Sequence, residues 1–99
     1  MKVVFSKSAE DELEAIADYI ALDSNRRAAS FINELIDAAL ALGNMPFAFR
    51  LVPNFENAGI RRKPYKRYVI FYRVEDDKIV VIHILNSAQD HEALLSSDA

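Results

Sequence analysis

The sequence predicts an α+β fold, a two-helix hairpin packed on a four-stranded antiparallel sheet with a short C-terminal helix. Three observations carry this prediction. Apolar residues recur at helical spacing over two segments of the first half. Three segments rich in aromatic and β-branched residues follow in the second half, and an isolated apolar run, Val3 to Phe5, precedes everything. With 99 residues, 52% of them apolar, the chain can bury one hydrophobic core but not two, so a single domain over residues 1–99 is expected.

Val3 to Phe5 is read as the first strand, ending where Ser6-Lys7-Ser8 offers helix-start chemistry. Either serine can cap the next segment, Ser8 with Asp11 resembling a capping box, and Glu10, Asp11, Glu12 and Glu14 suit the positive end of a helix dipole. Ala9, Leu13, Ile16, Ala17 and Ile20 carry this helix to about Leu22. Asp23-Ser24-Asn25 interrupts, and Ala28, Phe31, Ile32, Leu35, Ala39 and Leu42 define a second, longer helix stopped by Gly43-Asn44 and Pro46.

From Met45 to Ala58, Pro46, Pro53, Asn54 and Asn57 break up Phe47, Phe49, Leu51, Val52 and Phe55, which predicts a loop pinned to the core by aromatics. Gly59 to Lys63 reads as an edge strand ended by Pro64. Arg67 to Val74 is the third strand, Glu75-Asp76-Asp77 a turn, and the continuously apolar Ile79 to Leu85 a buried central strand. Asp90 to Leu95 is helix-compatible, with Leu94 and Leu95 able to dock on the core, and Ser96 to Ala99 is expected to fray. A hairpin that goes down and back up would start the second strand where the first ended, opposite to it. The apolar last strand wants neighbours on both sides, so the expected order is 1-4-3-2 with the helices on one face.

The chain has no cysteine, which excludes disulfides, thiolate metal sites and cysteine nucleophiles. Its opening apolar run is too short for a signal-peptide core or a membrane span, so the expectation is a cytoplasmic protein with no membrane partner. The net charge is −3, which argues against general or sequence-specific nucleic-acid binding. Between Arg50 and Arg73, however, seven basic residues accompany a single acidic one, Glu56, so this stretch carries +6 and the remainder −9. That half either faces an anionic partner or presents charged strand edges to water. With Gly43 and Gly59 as the only glycines there is no phosphate-cradling loop, and two histidines make no metal site, so no cofactor and no metal are expected.

Five stretches stand out in order: Val3-Val4-Phe5-Ser6 before an alanine-bearing acidic helix, Ile16-Ala17-Asp18-Tyr19-Ile20, Arg27-Ala28-Ala29, Gly59-Ile60-Arg61-Arg62 and Tyr68-Val69-Ile70-Phe71-Tyr72-Arg73-Val74-Glu75. In this order and spacing they resemble ParE toxins, and the resemblance covers nearly the whole chain. The resemblance implies the RelE/ParE superfamily and a toxin neutralised by a ParD-like antitoxin, whose C-terminal segment wraps it. It also implies DNA gyrase as the target, held in its cleaved-DNA complex by binding alone, with no catalytic residue; RelE relatives instead cut messenger RNA on the ribosome. Where many ParE-like sequences carry His-Gly-x-Arg-Asp, this chain has Asn86-Ser87-Ala88-Gln89-Asp90, which retains only the aspartate. That departure also admits a non-toxic relative that still binds an antitoxin.

Target contacts are expected from the basic strands and the tail: Arg61, Arg62, Lys63, Arg67, Arg73, Gln89, Asp90 and His91. Antitoxin contacts are expected on apolar surface of the hairpin and third strand: Leu13, Ile16, Tyr19, Ile20, Phe31, Leu35, Val69 and Phe71. Tyr68 and Tyr72 read as cross-strand packing on the face of Ile70, while Arg67, Val69, Phe71 and Arg73 share the other face. That second face must take helices or offer a groove. His83 reads as a core histidine and His91 as a surface one.

Overall fold

Ser6 ends the first strand and starts the first helix. In the computed structural model, which describes residues 1–98, its Oγ accepts the Ala9 amide as N-cap and donates to the Ile82 carbonyl at 2.8 Å. An N-cap of this kind contributes about 1 kcal/mol, and here the same hydroxyl also ties helix to sheet. The elements are β1 (Lys2–Phe5), α1 (Lys7–Ala21), α2 (Asn25–Leu40), a 3-10 turn (Ala41–Asn44), β2 (Ile60–Tyr65), β3 (Tyr68–Glu75), β4 (Lys78–Asn86), α3 (His91–Leu95) and a 3-10 turn at Ser96–Asp98. Ser24 caps α2 by accepting the Arg27 amide.

The sheet order is β1-β4-β3-β2, as expected, but the sheet is mixed: β1 pairs parallel to β4, while β2–β3 and β3–β4 are antiparallel. The expected antiparallel direction of β1 rested on a hairpin that doubles straight back over the sheet. Instead β1 is only four residues long and pairs with β4 as far as Val81, leaving the outer edge of the rest of the nine-residue β4 without a strand. The chain therefore continues forward in α1, placing Glu12 beside Ile84 and Tyr19 beside Tyr68, and α2 returns it. Phe31 packs on Tyr68, Lys63 meets Ala38, and Gly43 lies against Met1, so β2 begins at the level where β1 began. Pro64 does not end β2 but lies within it, opposite Val69 on the edge strand.

Apolar burial is divided between the two faces of the sheet, not gathered into one core. Between helices and sheet lie Ile16, Phe31, Leu35, Ile70, Tyr72, Val81 and Ile84 among others. On the opposite face Ile60, Val69, Phe71, Ile82 and Leu85 are covered by Phe55 of the long loop and Leu95 of α3. This second layer is the answer to the face that could not be left in water. Each large side chain so covered contributes roughly 1.5–3 kcal/mol. Of the loop aromatics, Phe55 is buried and Phe49 packs on the helix-side core, whereas Phe47 is exposed.

Ser96–Asp98 is not frayed: Asp98 accepts hydrogen bonds from His83 and Arg73. The expectation for Ala99 falls outside the described residues. Among the described residues no helix is long and apolar enough to cross a membrane.

Candidate partner-binding site

Three of the five expected target cations are committed to the fold. Lys63 donates from Nζ to the Ala38 carbonyl at 2.7 Å, with its ammonium 5.3 Å from the Phe49 ring centre. That carbonyl lies in the last turn of α2, which has no internal partner for it and favours a cation. Burial pushes the Lys63 pKa down. Arg61 donates to the Phe49 carbonyl at 2.7 Å and lies over Phe47. Arg73 pairs with Glu75 and donates to the Asp98 carbonyl.

The five do not form one cluster. Strand alternation sends Arg61 and Lys63 to the helix side and Arg62 to the other. Arg62 and Arg67 make no side-chain hydrogen bond or ion pair among the described residues, and Arg67 stands exposed in the turn between β2 and β3.

That turn closes a cleft of about 280 Å³ against the start of α2 and the end of α1. Tyr19, Ile20, Phe31 and Tyr68 form its apolar wall, and Arg27, Lys66 and Arg67 its cationic rim. An adjoining lobe of about 310 Å³ extends past Arg67 and Tyr68 to Ala15, Ile16, Asn86 and Gln89. Lys66 has φ of 54°, a left-handed conformation that costs a non-glycine residue roughly 1–2 kcal/mol. Its ammonium in return reaches Glu34 at 2.8 Å and sits 5.7 Å from the Phe31 ring centre.

Glu34 is the hub of this rim. It accepts from Lys66 and from the Tyr65 hydroxyl at 2.7 Å, with Arg27 3.9 Å away. The Lys66 bond, then the Tyr65 bond, holds the Glu34 carboxyl below its ordinary value. The same bonds to Glu34 raise the pKa of Lys66 and of Tyr65. Two of the three rim cations thus share the single negative charge of Glu34, and Arg67 has no such partner among the described residues. The arrangement can seat an apolar or aromatic side chain beside a carboxylate or phosphate.

Of the expected antitoxin contacts, Ile16, Phe31, Leu35, Val69 and Phe71 belong to the two core layers. Tyr19 is 71% exposed, and Leu13 and Ile20 are half-buried. Sequence reasoning missed Arg27 and Glu34, although positions 27, 31 and 34 share one face of α2 at helical spacing. Lys66 stands out in the sequence as one of the basic residues among the tyrosines, but no composition rule marks the left-handed turn position that brings it to Glu34.

The tail is a built turn. Asn86 Oδ1 accepts the Ala88 amide, Gln89 Oε1 accepts the Asn86 amide, and Asp90 caps α3. His91 is half-buried, not a free surface histidine: its Nε2 lies 2.8 Å from the Asn86 carbonyl, and its ring meets Phe71 edge-on at 5.0 Å. His83 is buried, as expected of a core histidine, and lies between Glu12 and Asp98. Among the described residues no group of three or more histidine or carboxylate side chains could hold a metal ion.

Fold and cleft together give a small α+β domain whose cleft presents aromatic and cationic side chains. The family described as "ParE toxin of type II toxin-antitoxin system, parDE" matches residues 3–91, and the chain belongs to that family. Among solved structures it is similar to one from a chromosomal ParDE TA system of P. aeruginosa, at 20% identity and a TM-score of 0.74. That match covers 87% of this chain and 95% of the other, and it bears on the fold. None of the curated proteins compared matches the chain.

Proposed function

We propose that this chain acts in the cytoplasm as the toxin of its pair, inhibiting DNA gyrase by binding and neutralised by a ParD-like antitoxin. The observation that carries the proposal is an overlap of surfaces. Arg67 and Gln89, expected at the target, line the same cleft as Tyr19, Ile20 and Phe31, expected at the antitoxin. A partner segment that seats an apolar side chain between Tyr19 and Tyr68 and a carboxylate on Arg67 would cover the very cation a target would meet. Neutralisation then follows by occlusion, with no change of shape required.

Binding in preference to RNA cleavage is supported by the family match over residues 3–91 and by the lining of the cleft and its lobe, in which there is no histidine or carboxylate to serve as a general acid or base.

The test is gyrase supercoiling with antitoxin-free protein, run beside a translation extract. Inhibited supercoiling with intact messages, reversed by the antitoxin, is the expected result. Cut messages with unaffected gyrase would assign the chain to the ribosome-dependent ribonucleases. Inertness in both would assign it to the non-toxic relatives.

A further inference from the structure

Outside the cleft, one buried titratable group is not used by the proposed function. His83 is 7% exposed, on the stretch of β4 beyond the end of β1. Its Nδ1 lies 2.7 Å from Glu12 Oε2 of α1, and its Nε2 lies 2.6 Å from Asp98 Oδ2 of the C-terminal turn. Carboxylates accept, so both ring nitrogens must donate, and only the imidazolium has two N–H groups. We infer that Glu12, His83 and Asp98 form a protonation-dependent latch that fastens the segment Ser96–Asp98 to the β4 edge.

The geometry decides which bond is lost when the ring gives up its proton. Glu12 is held twice, because its Oε1 also accepts the Ile84 amide at 2.8 Å. Asp98 has no second side-chain partner among the described residues, and only its backbone carbonyl is tied, by Arg73 Nη1 at 3.1 Å. A neutral ring keeps its one N–H on Glu12 and turns a lone pair toward the Asp98 carboxylate. Two acceptors then face each other at hydrogen-bond distance, and the carboxylate that can move is that of Asp98.

The charged neighbours on each side are Glu12 from α1, Asp98 from the turn, and the Arg73–Glu75 pair on β3. The other histidine, His91 of α3, rests on Phe71, the cross-strand partner of His83. Burial opposes charge on His83, yet the hydrogen bonds to Glu12 and Asp98 outweigh it, and its pKa is raised above the ordinary 6.5. A raised folded pKa means the latch is fully formed below the ordinary value and is lost as pH rises through the folded one.

What the latch restrains is local. Leu95 stays buried under the second face, so the segment after it is what loosens. None of this depends on which partner the chain binds.

The test is an NMR titration of both imidazoles, with backbone order of residues 96–98 followed by heteronuclear NOE over the same pH series. The expected result is His83 titrating above the ordinary value, with tail order falling at the same midpoint. Asp98→Asn, a change in a half-exposed turn, should lower the His83 midpoint and loosen residues 96–98 at pH values below the wild-type midpoint. His83→Gln should abolish the pH dependence of tail order. A His83 midpoint at or below the ordinary value, or tail order equal on both sides of it, would overturn the latch.

Discussion

Glu12 of α1 stands in for a strand: its Oε1 accepts the backbone amide of Ile84, 2.8 Å away and 72 residues on. Because β1 ends opposite Val81, the outer edge of β4 would otherwise leave this amide without a partner in a buried position. Replacing Glu12 by Ala should therefore cost about 1–3 kcal/mol, the penalty of an unsatisfied buried donor. Glu12→Gln, whose amide oxygen can still accept from Ile84, should recover part of the loss. Urea unfolding of the three proteins, compared at constant m-value, measures this.

Gly43 is where the N-terminus meets the end of the hairpin. Its carbonyl accepts from the Met1 ammonium at 3.0 Å, and a Cβ built on Gly43 would lie 2.5 Å from the Met1 carbonyl oxygen. Alanine normally stabilises a helical turn relative to glycine, but here the backbone clash outweighs that gain. Gly43→Ala should lower stability by roughly 1–3 kcal/mol. The loss appears as a lower Tm, with faster amide exchange concentrated in β1.

Lys63 and Arg67 should separate stability from function. Lys63→Met keeps the aliphatic stem but removes the cation from the Ala38 carbonyl, and should cost about 1 kcal/mol in thermal unfolding. Its effect on gyrase inhibition should be small.

Arg67→Ala should do the reverse. The side chain is exposed and unpaired among the described residues, so stability should move by no more than about 0.5 kcal/mol. Losing one charge-assisted contact corresponds to about 10–100-fold weaker inhibition, read from dose-response curves in the supercoiling assay.

Element order and sheet order were legible because hydropathy period and turn residues are local signals. The direction of β1 was not read, because it depends on where the helical hairpin returns the chain relative to the sheet, which no local signal carries. The alternation Arg61-Arg62-Lys63 already places its middle member on the opposite face, which dissolves the supposed basic cluster. Phe55 and Leu95 were recognisable as apolar, but nothing local says that they cover one face together. Least legible were the carboxylates. Glu12 looks like one more solvent-facing acid on a charged helix, and its tie to His83 spans 71 residues. Glu34 likewise acquires its role only when a two-residue turn brings Lys66 to it.

Toxicity by binding is tested most directly by trapping of the gyrase–DNA cleavage complex. Antitoxin-free protein incubated with gyrase and supercoiled plasmid should accumulate linear DNA after denaturation, and Arg67→Glu should accumulate far less at equal concentration. No linear DNA from the wild-type chain, with messages cut in a parallel translation reaction, would contradict it.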